Sequence, residues 1–196
     1  ERLVAFDQAA TEQERTRAWE AITATSHFRQ ARPIEGAAWA CIAHWHNAAI
    51  HELVNTEGLR PDPVWICERL WPELSVDDAA DALAQLMRVG LLVEDASGTV
   101  RTADAALVTP PQVTGLAVAR YHRSMLGHAA EAIERVPAEA RHLGGLTVSV
   151  PRALIPRLKS EIAAFERHLL NLCDGAEGDR EAVYQIGVQL FPLTVD

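Results

Sequence analysis

Histidine is the residue type with the widest scope for chemistry in this chain. Eight are present, and neutral imidazole can bind metals or transfer protons near neutral pH. His44 and His46 are two positions apart in a helical pattern, so their side chains point about 200° apart. His44 and His51 are about two helical turns apart, which is too far to share one ion. The spacing therefore predicts no metal site, and we expect neither a metal nor another cofactor.

Two other histidine positions interrupt apolar helix faces. His46 falls on the apolar face of a helix predicted over 37–54, and His122 does the same in a helix predicted over 112–136. A buried imidazole needs a hydrogen-bond partner. Two interpretations stay open. Each histidine could fix helix packing through a backbone carbonyl or a hydroxyl, or both could join Arg141 as the polar floor of a ligand pocket.

Covalent catalysis has no recognisable motif here. The sequence contains no Gly-x-Ser-x-Gly turn, and the Gly144-Gly145 pair lacks the spacing of a phosphate-binding loop. The three cysteines, Cys41, Cys67 and Cys173, are widely separated in apolar helical patterns, so we expect reduced thiols in the core. The sequence predicts that the protein is not an enzyme.

The order helix, turn, helix, hairpin over residues 62–102 predicts a winged helix. Asp62-Pro63 begins the first helix, Ser75 caps the second, and Gly90 ends it. Two short strands follow, joined by a turn that contains Gly98, a residue suited to a positive φ.

The second of these helices, predicted over 75–89, carries the wrong charge for DNA. Val76, Ala80, Leu83 and Met87 are expected to face the core, and the outward face would carry Asp77, Asp78 and Asp81 with Gln85 and Arg88. Phosphate contacts supply much of the affinity for DNA, so a reading helix needs Lys or Arg. We expect this face to be repelled by DNA, and its three aspartates to be a candidate surface for docking a basic partner.

Composition agrees with that expectation. The chain has 196 residues, is 48% hydrophobic and carries a net charge of −9, which predicts a globular protein that does not bind nucleic acid unaided. No apolar run of about 18 residues and no basic-then-apolar leader are found. We therefore expect no membrane association and a cytoplasmic location.

The fold predicted from these patterns is α+β and mainly α-helical. Residues 1–35 are interpreted as a helical preface, 36–109 as a winged-helix-like subdomain, and 110–196 as a long helix followed by a strand-helix-strand unit. Residues 146–150 and 183–191 alternate like strands, and apolar residues between 155 and 172 repeat at helical spacing. Because two strands are marginal alone, further strands from the wing or a second copy are expected.

Four segments together carry a family resemblance: residues 3–9, 45–53, 121–126 and 183–194, the last being the most specific. Through them nearly the whole chain resembles the bacterial DUF4423 family. The resemblance implies that residues 3–9 are a junction to an absent N-terminal helix-turn-helix domain, and that this chain is the regulatory body of a transcriptional regulator. DNA would then be bound only through that absent domain.

Together these observations predict a homodimeric regulatory and dimerisation domain that responds to an unknown protein or small-molecule effector. The alternative is a protein-interaction scaffold that uses the acidic face of the 75–89 helix.

Overall fold

The computed structural model describes residues 32–33, 41–103, 107–108 and 116–194. They form a mainly helical α+β fold, as predicted. The elements in chain order are β1 (Arg32–Pro33), α1 (Trp45–Leu53), α2 (Pro63–Arg69), α3 (Val76–Arg88), β2 (Leu92–Glu94), β3 (Val100–Thr102), β4 (Leu107–Val108), α4 (Leu116–Arg135) and α5 (Ile155–Asp174), with 3-10 turns at Ala138–Ala140 and Arg152–Leu154. Apart from residues 32–33, the predicted helical preface lies outside the described residues.

Residues 41–103 form a helix-hairpin unit, whose helices begin where the sequence predicts. The Asp62 carboxylate accepts a hydrogen bond from the Trp65 amide at 3.0 Å, one turn into α2. At α3, the Ser75 hydroxyl accepts from the Asp78 amide at 3.1 Å and donates to the Asp78 carboxylate at 2.6 Å. Each side chain satisfies an amide that the first helical turn leaves free, which explains these two boundaries.

The hairpin after α3 also matches its prediction. β2 and β3 pair antiparallel, with Leu92 opposite Thr102. In the turn, the Asp95 carboxylate accepts from the amides of Ser97 and Thr99. Gly98 has a φ of +81°, which an L side chain rarely adopts. A second described pair, β1 with β4, is parallel.

The core of the helix-hairpin unit lies where α3 packs against α1, α2 and β2. One set of residues at helical spacing faces it on α3: Ala79, Ala82, Leu83 and Leu86. The predicted face was wrong in three of its four members, because Ala80 is exposed and Val76 and Met87 are 47% and 38% exposed. Both sets have helical spacing, and packing against α1 and α2 selects the set that buries Leu86.

The predicted 37–54 helix is interrupted at residues 43–44. Residues 41–42 are helical and α1 begins at Trp45, whereas residues 37–40 lie outside the described chain. The cysteines are free, as predicted, but only Cys41 is buried, Cys67 is partly exposed and Cys173 is exposed. The expectation of a core position was therefore wrong for Cys173, which lies near the end of α5.

Residues 116–194, the C-terminal half, have a different character. Val118 is buried against Ile42 and Leu91, but none of residues 119–194 is buried. Residues 146–150 and 183–191 are extended, yet neither forms a strand. The predicted strand-helix-strand sheet is thus not formed within the described chain, although its helix, α5, is present.

The second extended segment is attached to the helix-hairpin unit at its beginning. The Glu57 amide donates to the Arg180 carbonyl at 2.8 Å. Val183 packs against the core of the unit. The Tyr121 hydroxyl donates to the Gln185 side-chain oxygen at 3.2 Å. These contacts fix the path of the chain up to residue 185.

Candidate functional site

Two polar side chains on α1 lie fully inside the helix-hairpin unit. Asn47 and His51 are both 0% exposed. The Asn47 amide nitrogen donates to the Cys41 carbonyl at 2.8 Å and reaches the Gln85 side-chain oxygen at 3.4 Å. His51 belongs to the polar edge that His44, Asn47 and Asn55 form in the predicted 37–54 helix, an edge expected to face solvent, and its burial contradicts that expectation. Asn47, His51 and Asn55 repeat every four residues. This spacing indicates that they share one helix face, but it does not tell whether that face is buried or exposed.

Each of the two buried side chains has one atom without a partner. They are Asn47 Oδ1 and His51 Nε2. His51 Nδ1 lies 3.0 Å from a Glu52 carboxylate oxygen, which can only accept, so Nδ1 carries a proton and donates it to this contact. An unsatisfied buried polar atom costs about 1–3 kcal/mol. This polar pair is the least satisfied part of the described core.

Aromatic rings gather where α1 contacts α4. Trp45 and His128 make an edge-to-face contact with ring centroids 4.8 Å apart, and His46 lies 5.7 Å from Trp45 and 5.5 Å from His44. Within α4, the Ser124 hydroxyl and His128 Nε2, one helical turn apart, are separated by 3.2 Å. Edge-to-face pairs of this kind stabilise packing. Trp45 and His128 therefore join the helix-hairpin unit to the C-terminal half, and His46 packs beside Trp45 on α1.

The half-buried position of His46 changes its protonation. Burial lowers the pKa of His46, the charge of His44 lowers it further, and Asp78 acts in the opposite direction. Desolvation disfavours the charged imidazolium. The neutral ring is consequently the favoured form in the folded protein.

The other two residues of the predicted pocket lie elsewhere. His122 is exposed on α4, 5.6 Å from the ring of its neighbour Tyr121, so its predicted inward orientation was wrong. The α4 face that turns inward is shifted by one position, because Tyr121 and Met125 are partly buried while Ala129 and Ile133 are exposed.

Arg141 binds backbone carbonyls at the C-terminal end of α4. Its guanidinium donates to the carbonyls of Ala132, at 2.8 Å, Ile133 and Val136. The Ala132 carbonyl also accepts from the Val136 amide, whereas the carbonyls at the very end of a helix have no amide partner within it. A positive charge at this end interacts favourably with the helix dipole. No contact between described residues joins His46, His122 and Arg141, so a shared pocket stays a prediction.

The acidic face of α3 is present as predicted. Asp77, Asp78 and Asp81 are exposed, and Arg88 is exposed at the far end of the helix. Asp78 is also the residue that the Ser75 hydroxyl contacts. Asp77 and Asp78 lie in the first turn of α3, near the positive end of the helix dipole. Negative charges at this end stabilise the helix.

Part of the exposed surface is apolar instead. In residues 119–194, large apolar side chains are at least 38% exposed at these positions: Leu126, Ile133, Leu143, Leu146, Val148, Phe165, Leu172, Tyr184, Ile186, Val188, Leu190, Phe191 and Leu193. Isolated apolar residues are normal on a surface, but a concentration of them marks an interaction site. The C-terminal half thus exposes more large apolar side chains than the helix-hairpin unit does.

The described residues thus define a helical α+β module that combines an acidic helix face with an apolar C-terminal surface. No three His, Cys, Asp or Glu residues among them are grouped to hold a metal ion. None of the described helices is long and apolar enough to cross a membrane.

A family model for a domain of unknown function, DUF4423, matches residues 25–193. The chain belongs to this family, which confirms the resemblance given above. No curated protein and no solved structure matches the chain.

Proposed function

We propose that this chain is the regulatory and dimerisation module of a bacterial transcriptional regulator in which a separate helix-turn-helix domain binds DNA. The observation that carries the proposal is the acidic face of α3, in the position that a reading helix would occupy. In a winged-helix interpretation, this helix presents carboxylates where the DNA phosphates would lie.

The order of elements supports a winged-helix interpretation of the helix-hairpin unit. Three helices, α1 to α3, are followed by the β2–β3 hairpin, which corresponds to a wing. In helix-turn-helix proteins the second helix of the motif enters the major groove. In this chain that helix is α3, and Asp77, Asp78 and Asp81 would face the DNA backbone and be repelled by it.

Charge separates this unit from the C-terminal half. Residues 41–103 contain four Lys or Arg and ten Asp or Glu, whereas residues 116–194 contain nine of each. A surface that meets an identical copy of itself must avoid a large net charge of one sign. The neutral C-terminal half meets this condition, which supports its role in dimerisation.

A fusion experiment tests the proposal. The chain is fused to a heterologous DNA-binding domain that represses a reporter only when dimerised, and repression is measured beside the bare domain. We expect the fusion to repress at least tenfold more strongly. Repression no stronger than that of the bare domain, at equal protein level, contradicts a dimerisation role.

A mobility-shift assay tests the charge argument. At about 0.1 M salt, where charges are screened beyond about 10 Å, the chain alone should not retard duplex DNA. An Asp77→Lys, Asp81→Lys variant should gain weak, salt-sensitive binding, since each added lysine can neutralise a phosphate. Tight binding by the unaltered chain would contradict the proposed division of labour.

A further inference from the structure

Two extended segments of the C-terminal half have the pattern of strands but pair with nothing in the described chain. Residues 146–150 alternate apolar and polar, and Leu146 and Val148 are 92% and 65% exposed. In residues 184–190 the apolar members are Tyr184, Ile186, Val188 and Leu190, and they are 38–69% exposed. Unpaired extended backbone is a template for pairing with another chain.

The helix between these segments is also incomplete. Its apolar stripe runs along one face at helical spacing through Ile155, Leu158, Ile162, Phe165, Leu169 and Leu172. Four of these residues are only partly buried, and Phe165 and Leu172 are exposed. The element with which α5 makes its main contacts is the short turn Arg152–Leu154 before it. A 20-residue helix gains most of its stability by packing such a stripe. The α5 stripe needs an apolar surface to pack against, and the two segments need neighbouring strands to pair with. A single β-sheet would supply both.

The exposed apolar surface is large enough for a stable interface. At roughly 100 Å² for each half-exposed large side chain, the thirteen apolar residues of 119–194 expose on the order of 1,000 Å². A standard interface buries about 800 Å² on each partner. The exposed apolar area of residues 119–194 is therefore sufficient in amount for a stable dimer.

We propose that residues 146–150 and 184–190 of two copies of this chain form one intersubunit β-sheet, whose apolar face packs against the α5 helices. A two-fold axis makes identical strands antiparallel and repeats every contact. The equal numbers of acidic and basic residues in 116–194 favour a second copy over a strongly charged partner. The inference rests on the proposed dimerisation role and adds the residues that carry it.

The hydrogen bonds that hold residues 180 and 185 fit this arrangement. Contacts from Glu57 and Tyr121 hold residues 180 and 185, so the segment that follows leaves its own subunit from a fixed point. A strand that begins from a fixed point has a defined register, because a slip of one residue would turn its apolar side chains to the other face.

The experiment compares three forms of the chain by light scattering and by amide hydrogen exchange. Val148→Asp places a charge in the proposed sheet-helix interface, and Thr147→Asp places the same charge on its other face. Both positions are exposed in the single chain, so near-ultraviolet circular dichroism, which reports Trp45 and Trp65, should show the helix-hairpin unit intact in both variants. At micromolar concentration we expect twice the chain mass of 21.5 kDa for the original chain and for Thr147→Asp, and the chain mass for Val148→Asp.

Hydrogen exchange separates this inference from dimerisation in general. Amides of 146–150 and 184–190 should exchange at least tenfold more slowly in the original chain than in Val148→Asp. A dimer in which these amides exchange rapidly, or which survives Val148→Asp, overturns the intersubunit sheet and leaves the dimerisation role standing. A monomer at all concentrations overturns both.

Discussion

The helix-hairpin unit and the C-terminal half contain similar apolar patterns but use them differently. Sixteen residues of 41–103 are buried, and only four of its large apolar side chains are exposed. Beyond Val118 the C-terminal half buries none, and thirteen of its large apolar side chains are exposed. The first region satisfies its pattern within one chain, and the second does not.

Local signals explain why both regions nevertheless have secondary structure. A side-chain cap or a proline can begin a helix from neighbouring residues alone, as Ser75 does for α3 and Pro156 does in the first turn of α5. Packing of the resulting apolar face is a separate requirement. In α3 and α5 the first requirement is met in both regions, whereas the second is met only in the helix-hairpin unit.

The largest expected contrast is between two leucine truncations. Leu86 is fully buried and Leu146 is 92% exposed. Leu86→Ala should lower the free energy of unfolding by about 2–5 kcal/mol at every protein concentration. Leu146→Ala should have no effect in dilute monomer and should destabilise only at concentrations that support a dimer. Denaturant unfolding at two concentrations measures both, and equal losses for the two variants would remove the distinction between the regions.

A smaller effect is expected at a helix terminus. Ser75→Ala removes the side chain that accepts from the Asp78 amide and should cost about 1 kcal/mol of stability. Ser160→Ala, at an exposed position within α5, is the matched control and should be neutral or slightly stabilising, because alanine favours helix interiors. Thermal melting of the two variants provides the test. A similar loss in both would show that capping is not what Ser75 contributes.

The smallest effect is a dependence on pH at His46 of the helix-hairpin unit. Because the pKa of His46 is lower in the folded chain than its ordinary value of about 6.5, the unfolded chain binds more protons as the pH falls through that value. His46 therefore contributes stability that is present above about pH 6.5 and is lost below it.

In His46→Gln the fall in melting temperature between pH 7.5 and pH 5.5 should be smaller than in the original chain. His122→Gln, at an exposed position on α4, serves as the control and should keep the original dependence. An unchanged pH dependence in His46→Gln would show that the lowered pKa of His46 does not contribute to the pH dependence of stability.

The sequence predicts the local parts of this structure well. The caps at Asp62 and Ser75 and the positive φ of Gly98 depend on residues within a few positions, so their chemistry is readable from the chain alone. The inward face of α3 and the burial of His51 depend on which helices pack against them. Helical spacing allowed two faces in each case, and only tertiary contacts distinguished them.

The candidate site divides in the same way. The acidic face of Asp77, Asp78 and Asp81 was predictable because charged residues remain exposed almost regardless of packing. The positions of His122 and Arg141 were not, since an arginine that binds the carbonyls of a helix end looks no different in sequence from one that lines a pocket.

The hydrogen bond from the Glu57 amide to the Arg180 carbonyl joins the loop after α1 to the segment that leads to Gln185. The same loop follows the helix that carries Asn47 and His51, the two buried side chains with unsatisfied atoms. The segment that leads to residue 185 and the helix that carries the least satisfied side chains of the described core are therefore linked through one main-chain hydrogen bond.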